Sequence, residues 1–517
     1  MDIVLVIVPR ILDDFGYTPA GPALLKGALT ANGFTSKILD FNADLESKYQ
    51  NNQDQLIAIS NYFMTHSFYN AELFKQIEKL IDEWSTKILE LNPVWVGISV
   101  FTYDSGRASR LLAIRLKSKN PNIKIVFGGA GLDLKVSEQL RQDQIIDAYI
   151  QGEGELSLIE LIKNNADYPG INGKPFEQIT NIDSIPFPIY DDYELQTYTN
   201  KKGLVALPIT GSRGCVRHCT FCDVASQWPK FKFRQGTNIA NEIQHQVLTY
   251  GVSAFRFTDS LINGSLKAFR DMITELAKFR STLPDDGKFI WDSHFIILGP
   301  QQMKPEMFDL MKASGAGTML IGVESGSESV RKHMKKGFKQ SDLDYCMEQF
   351  DRCGIRTRFL MVVGYPTETL QDFQDTLDMF TKYKPYGDRV IIEEVQLGIT
   401  LNLLPHTPLT DNKEKYGIIQ NTNHINDWVC KSNPTLDFKE RIKRRIYLQE
   451  HIERLGYRVF NSKNHTKELF LAWNNIMKTN QKPTIVDDFI YDRERGGLIE
   501  APPIKKIKIT PIYEHKN

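Results

Sequence analysis

Leu204-Val-Ala-Leu-Pro-Ile-Thr-Gly-Ser-Arg-Gly-Cys215-Val-Arg-His-Cys219-Thr-Phe221-Cys222-Asp223 lies just before the midpoint of a 517-residue chain, and its reading decides the fold. The apolar run has the character of a buried strand and breaks at Gly211 and Gly214, residues that commonly punctuate strand and loop. Three thiols follow at the spacing C-x3-C-x2-C, with the aromatic Phe221 directly before the last. Cysteine thiolates are the usual holders of iron–sulfur clusters, and three of them on one short loop can bind three irons of a cubane. The fourth iron then has no protein ligand and stays open to a small chelating molecule. A structural zinc ion is the competing occupant. It asks for a fourth Cys or His at ligand spacing, and none follows closely, although His218 lies inside the loop.

The bulk numbers bound the rest. A chain of 517 residues exceeds the size at which a single core keeps growing, which predicts two or three domains. Lys plus Arg and Asp plus Glu balance at 63 each, so no global field draws the protein to nucleic acid or to an anionic membrane. The N-terminal Met-Asp-Ile-Val-Leu-Val-Ile-Val-Pro is too short to span a bilayer and reads as a first strand. Cys346, Cys353 and Cys430 are scattered and form no disulfide framework, which suits a reducing compartment and predicts a cytoplasmic location.

Over the first 160 residues strands alternate with helices. Ile3 to Val8 is β-branched and ends at Pro9; Pro22 to Ala31 has helical spacing and stops at Asn32-Gly33. Lys37 to Phe41, Val94 to Phe101 and Ile123 to Phe127 read as further strands, with helices over 70–90 and 106–118. Ala148-Tyr-Ile-Gln-Gly-Glu-Gly-Glu155 closes the series. This order implies a parallel, doubly wound sheet with ligands at the carboxyl ends of its strands. Residues 163–200 are rich in Pro, Gly, Asn and Asp and read as an extended linker. From Leu204, six strand-like runs recur between helical ones, the last ending near Leu397, as in a partial parallel barrel whose carboxyl rim carries the chemistry.

The cysteine spacing resembles the C-x3-C-x-aromatic-C signature of the radical S-adenosylmethionine (SAM) superfamily. The first 160 residues resemble the cobalamin-binding domain found ahead of many such enzymes. That second resemblance rests on the helix Gly21-Pro-Ala-Leu-Leu-Lys-Gly-Ala-Leu29, on Ser99-Val-Phe101, on Gly128-Gly129 and on Gly152-Glu-Gly-Glu155. In the family the serine and the paired glycines lie along the nucleotide tail of the cofactor, a role carried here to Ser99, Gly128 and Gly129. A glycine pair is also an ordinary strand-to-helix turn. The loop from Pro9 to Pro19 departs from the histidine-ligating cobalamin proteins, because it lacks their Asp-x-His-x-x-Gly. Cobalt then has no lower imidazole, as in the radical relatives, or the cofactor has been lost.

The resemblance runs from residue 1 to about 410 and implies roles on the barrel rim. Thr258-Asp259-Ser260 and Gly322-Val-Glu324-Ser325-Gly326 end strands, and the latter resembles the Gly-x-Glu-Ser-Gly segment that serves the ribose and methionine ends of SAM. For these acids the plain alternative is a rim ion pair with Arg256 or Lys332. Gly364-Tyr-Pro366-Thr-Glu-Thr369 resembles the turn near the adenine, and can equally be a helix cap. Pro405-His406-Thr-Pro-Leu409 carries histidine where the relatives have glycine, so His406 faces the substrate or is a surface residue. His294, at the end of the third barrel strand, is a base or a hydrogen-bonded scaffold residue.

The fold class expected is therefore α/β. It has a Rossmann-like cobalamin-binding domain (1–162), a linker (163–200), a partial (β/α)6 TIM-type radical SAM barrel (201–410) and a small, mainly helical C-terminal extension (411–517). The extension holds a basic amphipathic helix at Lys439 to Leu455 and a basic tail, Lys505-Lys-Ile-Lys508, which reads as a solvated run rather than a nucleic-acid arm. The resemblance implies a [4Fe-4S] cluster on Cys215, Cys219 and Cys222, whose open iron chelates SAM and, on reduction, cleaves it to a 5′-deoxyadenosyl radical. Methylcobalamin then methylates an unactivated carbon of a small, natural-product-like substrate. A flavodoxin or ferredoxin would supply the electron. The alternatives are a radical rearrangement, cyclisation or electron transfer without methylation, and a corrinoid- or zinc-binding sensor without turnover.

Overall fold

The computed structural model describes residues 1–9, 18–65, 71–102, 105–199, 203–398, 400–420 and 425–460, and two further strands at 489–492 and 497–500. Most of the loop from Pro9 to Pro19 and the Lys505–Lys508 run therefore lie outside the described residues. Five strands, β1 (Ile3–Ile7), β2 (Ser36–Asp40), β3 (Trp95–Ser99), β4 (Lys124–Gly128) and β5 (Ala148–Ile150), form an all-parallel sheet ordered β2-β1-β3-β4-β5. Helices α1 (Ala20–Ala31), α2 (Phe41–Tyr49), α3 (Gln53–Thr65), α4 (Ala71–Glu90), α5 (Gly106–Lys119), α6 (Leu134–Gln142) and α7 (Gly154–Ile162) surround it. Because side chains alternate along a strand, Ile3, Leu5 and Ile7 enter one core with α1 and α7, while Val4 and Val6 enter another with α4 and α5.

Two helices differ from the sequence reading. The strand begun at Lys37 stops at Asp40, whose carboxylate accepts the Asn42 and Ala43 N–H groups and so caps α2 at Phe41. Neither α2 nor α3 carries a strong apolar stripe, and their packing rather than their periodicity makes them helical.

The second sheet contains seven parallel strands ordered β16-β13-β12-β11-β10-β9-β6. Chain order gives β6 (Ala206–Ile209), the short β7 (Ser212–Arg213), α8 (Val224–Gln227), β8 (Lys232–Phe233), α9 (Gly236–Tyr250), β9 (Ala254–Phe257), α10 (Leu266–Thr282) and β10 (Ile290–Phe295). Then come α11 (Pro305–Ala313), β11 (Ala316–Glu324), α12 (Glu328–His333), α13 (Gln340–Cys353), β12 (Arg356–Met361), α14 (Leu370–Lys382), α15 (Lys384–Asp388) and β13 (Ile392–Leu397). The C-terminal part adds α16 (Pro408–Asp411), a hairpin of β14 (Ile418–Gln420) and β15 (Trp428–Cys430), α17 (Phe438–Arg454) and β16 (Val459–Phe460). A second hairpin, β17 (Phe489–Asp492) with β18 (Gly497–Glu500), follows. The six expected barrel strands are present, and β16 extends the curved sheet beyond β13.

The segment between the sheets runs extended with two short 3-10 turns, at Ile182–Ser184 and Leu195–Thr197, and is bolted to both sides. Asp192 takes Lys26 and Lys37 from the first sheet's elements, while buried Tyr190 donates to the Pro208 carbonyl of β6 at 3.2 Å. One continuous core thus runs from Ile3, Leu5 and Ile7 through Tyr190, Tyr193 and Tyr198 to Leu207 and Ile209. Gly27 on α1 is a helix glycine because the Phe187 carbonyl presses there; an added Cβ would stand 2.2 Å from that oxygen. Gly27→Ala should therefore lower stability by about 1–3 kcal/mol through overpacking, although alanine ordinarily strengthens a helix. Urea unfolding of the two proteins checks it.

Candidate functional site

The cysteine loop leaves the carboxyl end of β6 and is closed at its base by the antiparallel pairing of β7 with β8. Asp259, buried at the end of β9, accepts the Gly211 N–H at 2.8 Å and the Ser212 hydroxyl at 2.5 Å. On the other side, Thr220 donates its N–H to the Met334 carbonyl at 3.1 Å, and its hydroxyl meets the Tyr365 hydroxyl at 2.9 Å. Two strand ends, those of β9 and β12, and the end of helix α12 therefore hold one loop. The three thiols are half-buried and unbridged. Burial pushes Cys219 up to about 11, and pushes Cys215 and Cys222 up as well, because a thiolate in this setting lacks enough positive charge around it. Among the described residues, no three His, Cys, Asp or Glu side chains converge on one metal ion. A cubane makes a different demand, since each thiolate takes its own iron.

Glu324, at the end of β11, faces this loop. The register between β11 and β12 shifts between Gly322 and Glu324, and Glu324 adopts φ 66°, so the chain turns the carboxylate inward. Its partner is the Lys336 ammonium at 3.0 Å, not Arg256 or Lys332. Burial works against the Lys336 charge, yet Glu324 and the nearby Cys219 raise its pKa. A Cβ on Gly322 would fall 2.4 Å from the Glu324 carboxylate and 2.7 Å from the Lys336 nitrogen, so only glycine leaves room for the pair. Lys336 was not singled out in the sequence. The signal was a lysine three residues past a short helix, visible only once that turn packs on the loop.

The remaining candidates divide between rim and scaffold. His294 contacts the Asp259 carbonyl through Nδ1 at 3.1 Å, and burial, with Arg256 nearby, pulls it down to about 4. It is neutral at pH 7, and a carbonyl partner places the proton on Nδ1. Both oxygens of the Asp259 carboxylate serve the loop, and burial pushes that group up to about 7. Ser260 is exposed. Ser325 is buried and accepts the Ser327 N–H at 3.1 Å, which stiffens the turn after Glu324. Gly364 has φ 82°, and its missing side chain makes room for Arg441 of α17, where a Cβ would lie 2.3 Å from the arginine stem. Pro366 is buried beside it. His406 is exposed at φ 59°, a backbone that suits the glycine of the relatives. Cys430 is buried against the Tyr416 carbonyl, away from the other thiols.

At the carboxyl edge of the first sheet, Ser99 and Gly128 are direct neighbours in register. A Cβ on Gly128 would have nothing closer than 4.0 Å, so this glycine faces open space. Gly129 differs: φ is 121°, and a Cβ would stand 2.5 Å from the Val100 carbonyl oxygen. The pair thus combines one open position with one demanded by the turn.

One further contact joins the two sheets. Arg213, two residues before Cys215, forks onto Glu153 and Glu155 from the turn entering α7, and all three side chains are buried. The two carboxylates keep the guanidinium charged in spite of its burial. Burial raises Glu153, against the pull of Arg213.

Residues 209–380, which contain the loop and the strands around it, match the Radical SAM superfamily. The chain carries a radical SAM domain. An uncharacterised methyltransferase of Pyrococcus horikoshii is 25% identical over 376 residues, 67% of this chain and 76% of its own length. An anaerobic magnesium-protoporphyrin IX monomethyl ester cyclase of Synechocystis is 26% identical over 297 residues, 53% of this chain and 56% of its own. The chain thus spans three quarters of the first relative and just over half of the second. Among solved structures, the radical SAM methyltransferase TsrM of Kitasatospora setae, with cobalamin and a [4Fe-4S] cluster bound, superposes with a TM-score of 0.57. The identity is 16% over 85% of this chain and 81% of that one. At that identity the likeness establishes the fold: a doubly wound sheet ahead of the radical SAM domain.

Removing Arg213 leaves two buried carboxylates without their cation. Arg213→Ala should lose about 3–5 kcal/mol of stability near pH 8. A carboxyl raised in the folded state binds its proton more tightly there than in the unfolded chain, so its stabilising term is full at low pH and fades as pH rises through the raised value. The loss should accordingly shrink at pH 5, where Glu153 takes up a proton. Urea unfolding at the two pH values measures it.

Proposed function

We propose that the protein is a cobalamin-dependent radical SAM enzyme that methylates an unactivated carbon of a small substrate. The observation that carries this reading is the juxtaposition of three half-buried thiols on one clamped loop with an inward-turned Glu324 and Lys336 beside them. The residues fit the cofactors. Three soft donors without a fourth suit a [4Fe-4S] cluster with an open iron, and the nearby ammonium offsets the negative charge of the thiolates. Glu324 and Lys336 offer an acceptor and a donor to the polar groups of SAM. In the first domain, Ser99 and Gly128 offer a hydroxyl beside an open stretch of backbone, where a corrinoid tail could approach.

When bound, the cluster and SAM supply a one-electron cleavage that generates a carbon-centred radical, and cobalamin supplies the methyl group. The chain's part is to hold and exclude. Asp259, Tyr365 and Arg213 fix the loop, and Glu324 orients polar groups. Neutral His294 donates its Nδ1 proton to the Asp259 carbonyl, which leaves Nε2 as a hydrogen-bond acceptor. It does not donate a proton at pH 7, because burial keeps it neutral. The barrel rim and the first sheet's carboxyl edge would face the substrate together. We assign residues 1–162 to the cobalamin domain, 163–200 to the linker, 201–410 to the barrel and 411–517 to the extension. No helix among the described residues is long and apolar enough to cross a membrane. With six unbridged cysteines, we place the protein in a reducing compartment, the cytoplasm.

The similarity to a cyclase favours a second reading, in which the radical step is kept and no methyl group moves. Anaerobic reconstitution with iron and sulfide, followed by reductant and SAM, should release 5′-deoxyadenosine. Cys219→Ala should abolish that release, at least about a thousand-fold, since SAM cleavage depends on the cluster. Labelled methyl transfer from SAM to cobalamin supports methylation; intact cleavage without it supports the second reading.

A further inference from the structure

The outer side of the cysteine loop is basic in a chain whose charges otherwise balance at 63 and 63. The turn after α12 lies directly against the loop: the Met334 carbonyl accepts the Thr220 N–H at 3.1 Å, and the Lys335 carbonyl stands 4.0 Å from Cys219 Sγ. Lys336 turns inward to Glu324. Lys332, Lys335 and Lys339 on the same segment are exposed and form no ion pair among the described residues. From Glu328 to Asp342 the chain carries five Lys and Arg against two acids. Those acids are held in place, Glu328 by the Gln340 N–H at 2.8 Å and Asp342 by the Lys339 N–H at 2.9 Å. The loop itself adds partly exposed Arg217 and exposed Val216, the latter 38% accessible.

We propose that this surface docks an acidic one-electron carrier protein, with Lys332, Lys335 and Lys339 as its steering contacts. The proposal rests on the cluster reading of the loop. One electron passes from the reduced carrier to the cluster, so the carrier is oxidised by one electron and the cluster reduced by one, with no bond made or broken. Electron transfer needs close approach, and the Lys335 carbonyl lies 4.0 Å from the Cys219 sulfur. Complementary charge raises association rates by about 10–10³ and is screened by salt. Val216 supplies an apolar contact at the tip, which suits a protein partner more than a phosphate backbone.

The test uses the reconstituted full chain, the charge reversal Lys332→Glu/Lys335→Glu/Lys339→Glu and the neutral Lys→Gln set at the same positions. Flavodoxin hydroquinone and dithionite serve as separate reductants, with bleaching of the cluster followed by stopped flow. Binding of oxidised flavodoxin to the chain without cluster gives a second readout. Expected is a second-order rate with flavodoxin at least about ten-fold lower at low salt for the reversal. An intermediate loss for the neutral set, weaker flavodoxin binding and little change with dithionite should accompany it. An unchanged flavodoxin rate, equal losses with both reductants, or tighter binding of tRNA than of flavodoxin at the same salt overturns the surface. A wild-type chain in which dithionite reduces no cluster overturns the underlying reading, and this proposal with it.

Discussion

A single guanidinium, Arg213, joins the halves of this protein at the place where position matters most. It sits two residues from Cys215 and divides its hydrogen bonds between Glu153 and Glu155, which the first sheet delivers on the turn entering α7. A planar fork between two buried carboxylates has little freedom, because any slide leaves a charge without a partner in a low-dielectric setting. The turn that ends the first domain therefore sets the start of the cysteine loop. Asp259 and Tyr365 complete the fixation from the barrel.

With the loop fixed, the electrostatics of the mouth follow. Burial disfavours free thiolates there, and Lys336, the cation that acts on all three, is already engaged by Glu324. Metal binding would supply the missing positive charge. Gly322 is needed so that the acid and the lysine fit together, while Gly326 and Gly364 are needed by helices packed outside the mouth. Similar glycines in one signature thus answer to different neighbours. The C-terminal part is no mere appendage: α17 buries Arg441, Arg444 and Arg445 against the barrel loops, with Arg444 held by Glu368 at 3.0 Å. Burial pushes Glu368 up to about 7 even with that partner.

Much of this was legible in the chain. Alternating apolar runs gave both parallel sheets to within a few residues, since strand burial is written locally. The cysteine spacing was readable, and so was the need of Glu324 for a polar partner, because each depends on neighbours in sequence. Pairings across long separations were not. Lys336 with Glu324 and Arg213 with Glu153 depend on which turns meet after folding. Gly152-Glu-Gly-Glu155 stands out in the sequence, but nothing near it in the chain names a partner for its acids. Asp259, open in the sequence between a cofactor contact and a rim ion pair, spends its carboxylate on the loop's own donors, and His406, open between substrate and surface, stands on an exposed left-handed turn. The strand β16 was hidden because two residues at a sheet edge carry no periodic signal.

The central claim is that Cys215, Cys219 and Cys222 hold a cluster with one iron free for SAM. Electron-nuclear double resonance on the reduced, reconstituted protein tests this directly, using SAM labelled with 15N at the amino group and 17O in the carboxylate. The account predicts hyperfine coupling of both labels to the cluster. A cluster that forms and reduces yet shows no coupling to either label would contradict it.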